Sequence, residues 1–414
     1  MGICESEQSS AKPGAFRIAV LASGALNCFA IGSCYLYGVF QPYIMSYFNV
    51  DTAAASTPYT LIWMFMTIAQ FIAGPLQKRI GVKATAAFGL ALMGAGCFAC
   101  SLLSPDMVGA MSFCYTVVVG LGLGIGYNAV AATTVRWFPD HKGVATSISI
   151  GMMGGAGILL SPVFGSLLAE QGLQTAFRCQ ALVFVPCILL TLAVFKDTPE
   201  GYMADYVPKG VVAKQMAAHE VTNLRELVTT RDAWLLVLLY FSLVPVYVIA
   251  SSVFVSFGAE AKQLDPVAAV WFVSAASIVQ VIGRFSVPSM SDRFGRRAVF
   301  FFVLGVMAAA VALIATSGNV VYALAFCALS FAYGGGVTAM PAIVSDRLGT
   351  TNATQNIAFS ELGTLLGSIA SFALVNTLPT GTAIVVSGMG GAVMGVSALF
   401  AIFGFGAGGR RASS

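Results

Sequence analysis

The chain has 414 residues, of which 58% are hydrophobic and only 9% are charged. Soluble domains carry about 25% charged residues, so this composition excludes a protein whose surface lies mainly in water. The net charge is only +4, and we expect no nucleic-acid partner. The two histidines, His141 and His219, lie in predicted loops, so we expect no metal site and no cofactor.

The apolar residues form segments long enough to cross a bilayer, which takes about 20 helical residues. Twelve such segments are predicted, and we expect an all-α polytopic membrane protein with twelve transmembrane helices. The first begins after a polar stretch and is not followed by a small-residue cleavage site. It is therefore expected to remain as a span and not to be a signal peptide. In chain order, the predicted spans cover residues 17–41, 56–77, 84–103, 107–135, 143–168, 175–195, 232–257, 267–289, 298–316, 320–345, 356–377 and 382–405.

One long polar segment, residues 196–231, separates the sixth span from the seventh. We interpret it as a linker between two bundles of six helices, at 17–195 and 232–405. The remaining residues form short tails at 1–16 and 406–414. This division predicts two similar halves that act together, so that one monomer is expected to be the transport unit.

The basic residues indicate how the predicted spans are oriented. All but three of the 21 Lys and Arg residues fall in loops and tails on one side. The exceptions are Arg178 and Lys262 on the other side and Arg284 inside a span. Because basic loops stay in the cytoplasm, both termini and the linker are expected to be cytoplasmic. We expect a multi-pass protein of the plasma membrane or of an organelle membrane.

A short loop pattern occurs once in each half. GPLQKRIGVK, residues 74–83, follows the second span, and PSMSDRFGRR, residues 288–297, follows the eighth. Both copies place an arginine two residues before a glycine and a basic residue two after it. Glycine permits a tight turn, and a repeat at an offset of half the chain is typical of transporters built from two halves.

These loops resemble the G-x-L-a-D-r-x-G-r-k signature of the major facilitator superfamily, although Lys78 stands where the family has an aspartate. The resemblance implies two six-helix bundles around a central cavity that opens alternately to either side. It also implies a cytoplasmic gate, for which the matching residues are Arg79, Lys83, Asp292, Arg293, Arg296 and Arg297.

A second stretch, residues 122–157, is similar to the oxalate/formate and monocarboxylate porter branch of that superfamily. In this branch a W-F-P-x-x-x-G turn follows the fourth span, and Trp137, Phe138, Pro139 and Gly143 match it. The opening G-x-x-Y-x-x-G-V-F around Tyr35 is also similar. The branch implies a small organic anion as substrate.

Arg284 is the basic residue inside a predicted span. An arginine at a helix centre costs roughly 2.5–3.5 kcal/mol on insertion scales, so such residues face a polar cavity or a partner. Its planar guanidinium offers a fork that suits a carboxylate. In the branch that the chain resembles, an arginine at the position of Arg284 holds the substrate carboxylate. A structural arginine paired with a carboxylate or with backbone carbonyls is the alternative.

Glu361 is the carboxylate that lies well inside a predicted span, at a depth comparable to that of Arg284. We expect these two groups to meet or to share one cavity. A substrate carboxylate on Arg284 would weaken the stabilisation of ionised Glu361 and favour its protonation, so that proton and anion promote each other's binding. The alternative is a gate in which Glu361 pairs with Lys78 or Arg79.

Several uncharged polar residues also lie within the predicted spans. Tyr35 and Tyr127 are the candidates for substrate contacts because they match positions of the resembled branch. For each of the others, a hydrogen bond to a neighbouring helix is an equal alternative to a place in the cavity. They are Asn27, Tyr37, Asn128, Tyr247, Gln280 and Ser360.

The N-terminal sequence MGICES fits the pattern for N-myristoylation at Gly2, with Cys4 beside it for palmitoylation. Because the spans already anchor the chain, such acylation would direct the protein to a membrane region.

These patterns together predict a secondary transporter of a small monocarboxylate, coupled to protons. An antiporter that exchanges two organic anions is the first alternative. A transporter-like solute sensor is the second, although such proteins carry a long soluble tail or loop. No constellation of a nucleophile and a base is visible, so we expect no enzyme.

Overall fold

The structure is a computed structural model. It describes residues 13–138, 142–199, 221, 223–349 and 352–404. The proposed lipidation sites Gly2 and Cys4, as well as much of the predicted linker and the C-terminal tail, lie outside the described residues.

The described residues of the first half form six α-helices. A 3₁₀ turn, Gly32–Leu36, joins the first two, and a π-helical turn, Cys114–Val119, joins the fourth to the fifth. The helices are α1 (Pro13–Ile31), α2 (Tyr37–Phe48), α3 (Thr52–Cys100), α4 (Val108–Phe113), α5 (Gly120–Trp137) and α6 (Lys142–Val194).

The described residues of the second half form eight helices, of which the first is short. They are α7 (Leu224–Thr229), α8 (Arg231–Lys262), α9 (Pro266–Phe294), α10 (Arg296–Thr316), α11 (Asn319–Leu348), α12 (Ala353–Ser360), α13 (Leu362–Thr377) and α14 (Thr380–Phe403). The described residues contain no strand, which agrees with the all-α fold class expected from the sequence.

Ten helical segments in the described part of the chain are long and apolar enough to cross a membrane. Two of them, α3 with 49 residues and α6 with 53, leave the helical conformation at Gly81 and Gly172, both at φ 80°. Because one crossing takes about 20 residues, each of these two segments contains enough residues for two crossings. The number of twelve spans stays a prediction.

The first span extends beyond residue 41, where it was predicted to end. The helix continues past Pro42 and ends at Phe48, where Asn49 adopts the left-handed conformation at φ 51°, as is common after a helix. The polar residues in this added portion lower its hydropathy, but they find partners in the bundle. The Tyr47 hydroxyl, for example, donates a hydrogen bond of 3.0 Å to the Leu103 carbonyl.

Side-chain caps begin three of the described helices, including the long helices α3 and α9. Asp51 accepts a hydrogen bond of 2.8 Å from the Ala54 amide before α3, and Asp265 accepts one of 2.8 Å from Ala268 before α9. Such caps satisfy backbone amides that have no partner within the helix. Pro266 follows Asp265 at the first helical position, where its missing N–H removes no hydrogen bond.

The outer surface of the bundle carries many large apolar side chains, including Leu159, Leu182 and Val393. In water such a surface would be unfavourable, but in a bilayer it faces lipid chains, and the helices satisfy their own backbone groups. The interior contains small and polar residues as well as large apolar ones. This distribution is that of an integral, multi-pass membrane protein.

The contacts between the two halves include three closely packed pairs of helices, α6 with α9, α3 with α13 and α2 with α8. The Ser274 hydroxyl of α9 donates to the Gly157 carbonyl of α6 over 3.2 Å, and Ser368 of α13 donates to the Thr60 carbonyl of α3. Small residues permit this close approach. At the third pair, a Cβ placed on Gly38 of α2 would collide with the Ser251 carbonyl of α8.

The bundle has two ends, which differ in charge. The basic face is the end that carries the turns around Arg79, Arg136, Arg293 and Arg347. The opposite face carries the helix ends at Phe48 and Lys262.

Candidate functional site

Arg284 lies on α9, inside the bundle, and is only 3% exposed. One of its terminal nitrogens, Nη2, donates a hydrogen bond of 3.2 Å to the Tyr35 hydroxyl. Its Nε has no hydrogen-bond partner among the described residues, and none of the ion pairs found in that part of the chain includes Arg284. The guanidinium therefore keeps donor capacity for a ligand.

Aromatic rings surround this guanidinium on one side. The rings of Tyr247 and Tyr333 are stacked with centroids 3.8 Å apart, and Tyr35 meets Trp63 at 5.4 Å and Tyr247 at 6.2 Å. The Tyr35 and Tyr333 side chains also share a hydrogen bond. Tyr35 belongs to the 3₁₀ turn Gly32–Leu36, and such a tight turn within a span often marks a functional site.

Glu361 lies at the boundary between two helical segments. Helix α12 ends at Ser360, α13 begins at Leu362, and Glu361 between them stays in the right-handed helical region at φ −67° and ψ −6°. The Gln70 side chain of α3 lies close to the Glu361 carboxyl in the same cavity, so this acid faces the first half of the chain.

Arg284 and Glu361 line the same cavity, whose volume is about 50 Å³. They form no ion pair within the described structure, and Tyr127 is within electrostatic range of both. A cation and an acid that share a cavity without neutralising each other are both open to a solute. Ten further residues line it, namely Tyr35, Trp63, Met66, Gln70, Tyr127, Met153, Tyr240, Tyr333, Val337 and Thr364.

Glycines of α6 allow Arg284 to lie against this helix. A Cβ on Gly154 would stand 2.8 Å from the Gln280 Oε1 atom and 3.1 Å from the Arg284 Nε atom, which is closer than packed atoms tolerate. Gln280 in turn donates a hydrogen bond of 2.9 Å to the Tyr247 hydroxyl. The arginine is thus held between the backbone of α6 and the tyrosines of the second half.

The residues expected to form a gate fall into two groups in the structure. Arg296 pairs with Asp292 and also with Asp346, the latter at 2.9 Å. Arg293 lies over the Phe294 ring, and Arg297 lies over the Phe301 and Phe400 rings. Arg79 and Lys83 of the first half take part in none of the ion pairs among the described residues. Glu361 makes its contact with Gln70 instead of Lys78 or Arg79.

The other polar residues singled out in the spans divide between the cavity and the helix packing. Asn27 donates to Thr191 over 2.7 Å, Tyr37 donates to the Ala55 carbonyl over 2.6 Å, and Asn128 accepts from Gln77 over 2.8 Å. Tyr247 and Gln280 instead support the surroundings of Arg284. Packing and cavity roles are thus both represented.

Eight of the twelve cavity residues were missed, because the sequence reasoning concentrated on charges and on the resembled branch, and four of the eight have large polar or aromatic side chains. These four are Trp63, Gln70, Tyr240 and Tyr333. Trp63, Met66 and Gln70 occur at spacings of three and seven residues on α3, which places them on one helix face. That spacing, together with a glutamine in an apolar span, was a signal available in the sequence. Asp346 was missed at the gate because it lies at the end of α11, outside the repeated loop pattern.

A bundle of long apolar helices in two contacting halves, with a charged cavity between them, defines the chain as a polytopic membrane transport protein. Its particular family follows from a sequence comparison, in which the model of the Major Facilitator Superfamily matches residues 23–372. The chain belongs to this family.

Three proteins are similar to the chain in sequence. It is 27% identical to the uncharacterized MFS-type transporter YhjX of Escherichia coli (strain K12), with 82% of this chain and 83% of the relative covered. It is 26% identical to the oxalate:formate antiporter of Oxalobacter formigenes, with 81% and 78% covered. It is also 26% identical to apicoplast pyruvate carrier 2 of Toxoplasma gondii, with 44% and 28% covered.

The fold is also similar to those of solved transporter structures. A D-xylose-proton symporter structure superposes with a TM-score of 0.72 at 14% sequence identity, covering 94% of this chain and 98% of the symporter chain. At this identity the similarity concerns the fold alone.

Proposed function

We propose that the chain is a secondary transporter that carries a small monocarboxylate together with a proton by alternating access. The observation that carries this proposal is the buried Arg284, which has no ion-pair partner among the described residues and faces a cavity shared with Glu361. A buried cation without a counter-charge is unfavourable, and a substrate carboxylate would offset it.

The charges of the cavity favour a substrate with one carboxylate. Arg284 supplies one positive charge, and Glu361 is the acid on the same wall. A dianion such as oxalate would bring its second carboxylate into a cavity with one cation and one acid, where like charges repel. A monocarboxylate on Arg284 avoids this repulsion.

The cavity volume agrees with a small substrate. A buried water needs about 10–15 Å³ of such volume, so 50 Å³ holds about four water-sized groups. This is the scale of an anion with one or two carbon atoms, such as formate or acetate. The names of two relatives, an oxalate:formate antiporter and a pyruvate carrier, also refer to small carboxylates.

Proton coupling follows from the chemistry of the two groups. When an anion occupies Arg284, the positive charge no longer favours the ionised form of Glu361, and protonation of this acid restores neutrality in the cavity. Anion and proton then bind in mutual support. The contact between Glu361 and Gln70 of the first half connects this protonation to the relative position of the two halves.

The test is uptake of formate, acetate, pyruvate and oxalate into liposomes that contain the purified protein. A pH gradient, acidic outside, is expected to accelerate uptake of the monocarboxylates at least several-fold. Glu361→Gln should abolish this acceleration while formate binding persists. If uptake by the wild type ignores the pH gradient and depends on an anion inside the liposome, the proposed symport is wrong and organic-anion antiport takes its place.

We further propose that Asp292, Arg293, Arg296 and Arg297, together with Arg79 and Lys83, control opening at the basic face, and that this face is cytoplasmic. The Arg296–Asp346 pair connects the start of α10 with the end of α11. Such a pair stabilises one arrangement of these helix ends.

A further inference from the structure

Trp63 on α3 has a buried hydrogen-bond donor without a partner. The residue is only 2% exposed and lines the cavity together with Arg284. Its indole Nε1 has no hydrogen-bond partner among the described residues. A buried donor without a partner is unfavourable, and a solute that occupies the adjoining cavity would supply an acceptor.

The other tryptophans behave differently. Trp137 Nε1 donates to the Lys196 carbonyl and Trp234 Nε1 donates to the Val228 carbonyl, each over 2.8 Å. Trp271 is 60% exposed on the outer surface of the bundle. The unpartnered indole at the cavity is therefore specific to the position of Trp63 among these four residues.

The Trp63 ring is held by its neighbours. Tyr35 contacts it at a centroid distance of 5.4 Å, and Tyr59 meets it edge-on at 5.7 Å, with ring planes at 88°. Such aromatic pairs contribute about 0.5–1.5 kcal/mol beyond the buried area. A donor on a ring fixed in this way is already oriented before a ligand arrives, which lowers the entropy lost on binding.

We propose that the indole N–H of Trp63 donates a hydrogen bond to the same substrate carboxylate that Arg284 binds. This inference rests on the proposed function. Trp63 and Arg284 line one cavity, and each has a buried donor without a partner among the described residues, namely Nε1 and Nε. A carboxylate in this cavity has two oxygens with which to accept from both residues. Trp63 belongs to the first half and Arg284 to the second, so the anion connects the two halves.

Binding of one carboxylate by both Trp63 and Arg284 would affect which anions the site accepts. A site that hydrogen-bonds a substrate group rejects analogues without that group, because buried donors are then left unpaired. The two donors select a carboxylate, and a chloride ion, which cannot span two separated donors, binds more weakly. Trp63 is on this view a specificity-determining residue for the carboxylate.

The direct test is an NMR spectrum of protein labelled with ¹⁵N-tryptophan, titrated with formate. The chain has four tryptophans, so four indole N–H signals are expected, and the one absent from Trp63→Phe belongs to Trp63. Formate is expected to shift this signal downfield and to leave that of Trp271 unchanged. A Trp63 signal that stays in place at saturating formate would overturn the proposal.

Binding measurements on the variants add a second readout. Trp63→Phe retains an aromatic ring and removes the N–H, and a hydrogen bond to a charged group contributes about 1.5–3 kcal/mol, which corresponds to a roughly ten- to hundredfold rise in the Kd for formate. Trp271→Phe is the matched control and should bind like the wild type. A Kd for Trp63→Phe within twofold of the wild type contradicts the proposal.

The two hypotheses fail in different ways. If the wild-type protein binds neither formate nor pyruvate, the proposed function is wrong. If the wild type binds formate and the Trp63 signal and the Trp63→Phe affinity are both unchanged, the transport proposal survives and the role of Trp63 is wrong.

Discussion

The guanidinium of Arg284 donates a hydrogen bond of 3.2 Å to the hydroxyl of Tyr35, although 249 residues separate them in the chain. Tyr35 lies in the first half and Arg284 in the second, so this contact crosses the interface between them. It brings a tight turn of the first span to a buried cation of the second half.

Replacing Tyr35 by phenylalanine removes this acceptor and retains the ring. We expect the KM for formate uptake to rise about five- to tenfold, corresponding to about 1–1.4 kcal/mol, because a hydrogen bond to a charged group is lost. The measurement is uptake into liposomes over a range of formate concentrations.

Tyr37→Phe is the matched control. Tyr37 lies two residues further along, and its hydroxyl donates to the Ala55 carbonyl within the first half. Its KM should stay within twofold of the wild type. Equal effects of the two substitutions would show that the Tyr35 hydroxyl supports folding only.

Arg284→Gln is expected to abolish formate binding, and Arg284→Lys should weaken it at least tenfold, because lysine keeps the charge but not the planar fork. The removal of a buried, unpaired charge should leave the thermal unfolding midpoint unchanged or higher. Binding and unfolding are measured on the same detergent-solubilised samples. A folded Arg284→Gln protein that transports organic anions at the wild-type rate is incompatible with the proposed mechanism.

Gly154 and Gly155 provide a test of how α6 positions Arg284. A Cβ at Gly154 would stand 3.1 Å from Arg284 Nε, whereas one at Gly155 meets its nearest atom, in Val281, at 3.6 Å. Gly154→Ala should displace the guanidinium and raise the Kd for formate about tenfold, while Gly155→Ala should leave it unchanged. A helical Gly→Ala change is itself stabilising by about 0.5–1 kcal/mol, so unfolding is not expected to explain a loss at Gly154. Equal affinities of the two variants would mean that the arginine does not depend on this contact.

Several features of the fold could be predicted from local sequence. The runs of apolar residues indicated membrane helices because helix length and hydropathy are properties of about 20 consecutive residues. The repeated loop pattern indicated the superfamily, which the family comparison confirmed. Arg284 and Glu361 stood out because charged groups are unfavourable within a span.

Other features depended on contacts between distant segments. The extension of the first helix to Phe48 was missed because Tyr47 and its neighbours reduce hydropathy, yet other helices supply them with partners. The boundary between α12 and α13 at Glu361 was also missed, since it is a change at a single residue, at ψ −6°, within an otherwise helical backbone. Both features reflect the environment that packing creates around a polar group.

The sequence by itself determined that this protein crosses a membrane, that it belongs to a family of two-halved transporters, and that it carries a lone cation and a lone acid within its spans. Only the tertiary structure decided that these charges share a cavity without forming an ion pair, and that Trp63 and Gln70 of α3 join them. The reason is that hydropathy acts locally along the chain, whereas the faces that meet across the bundle depend on where small residues allow helices from the two halves to pack closely.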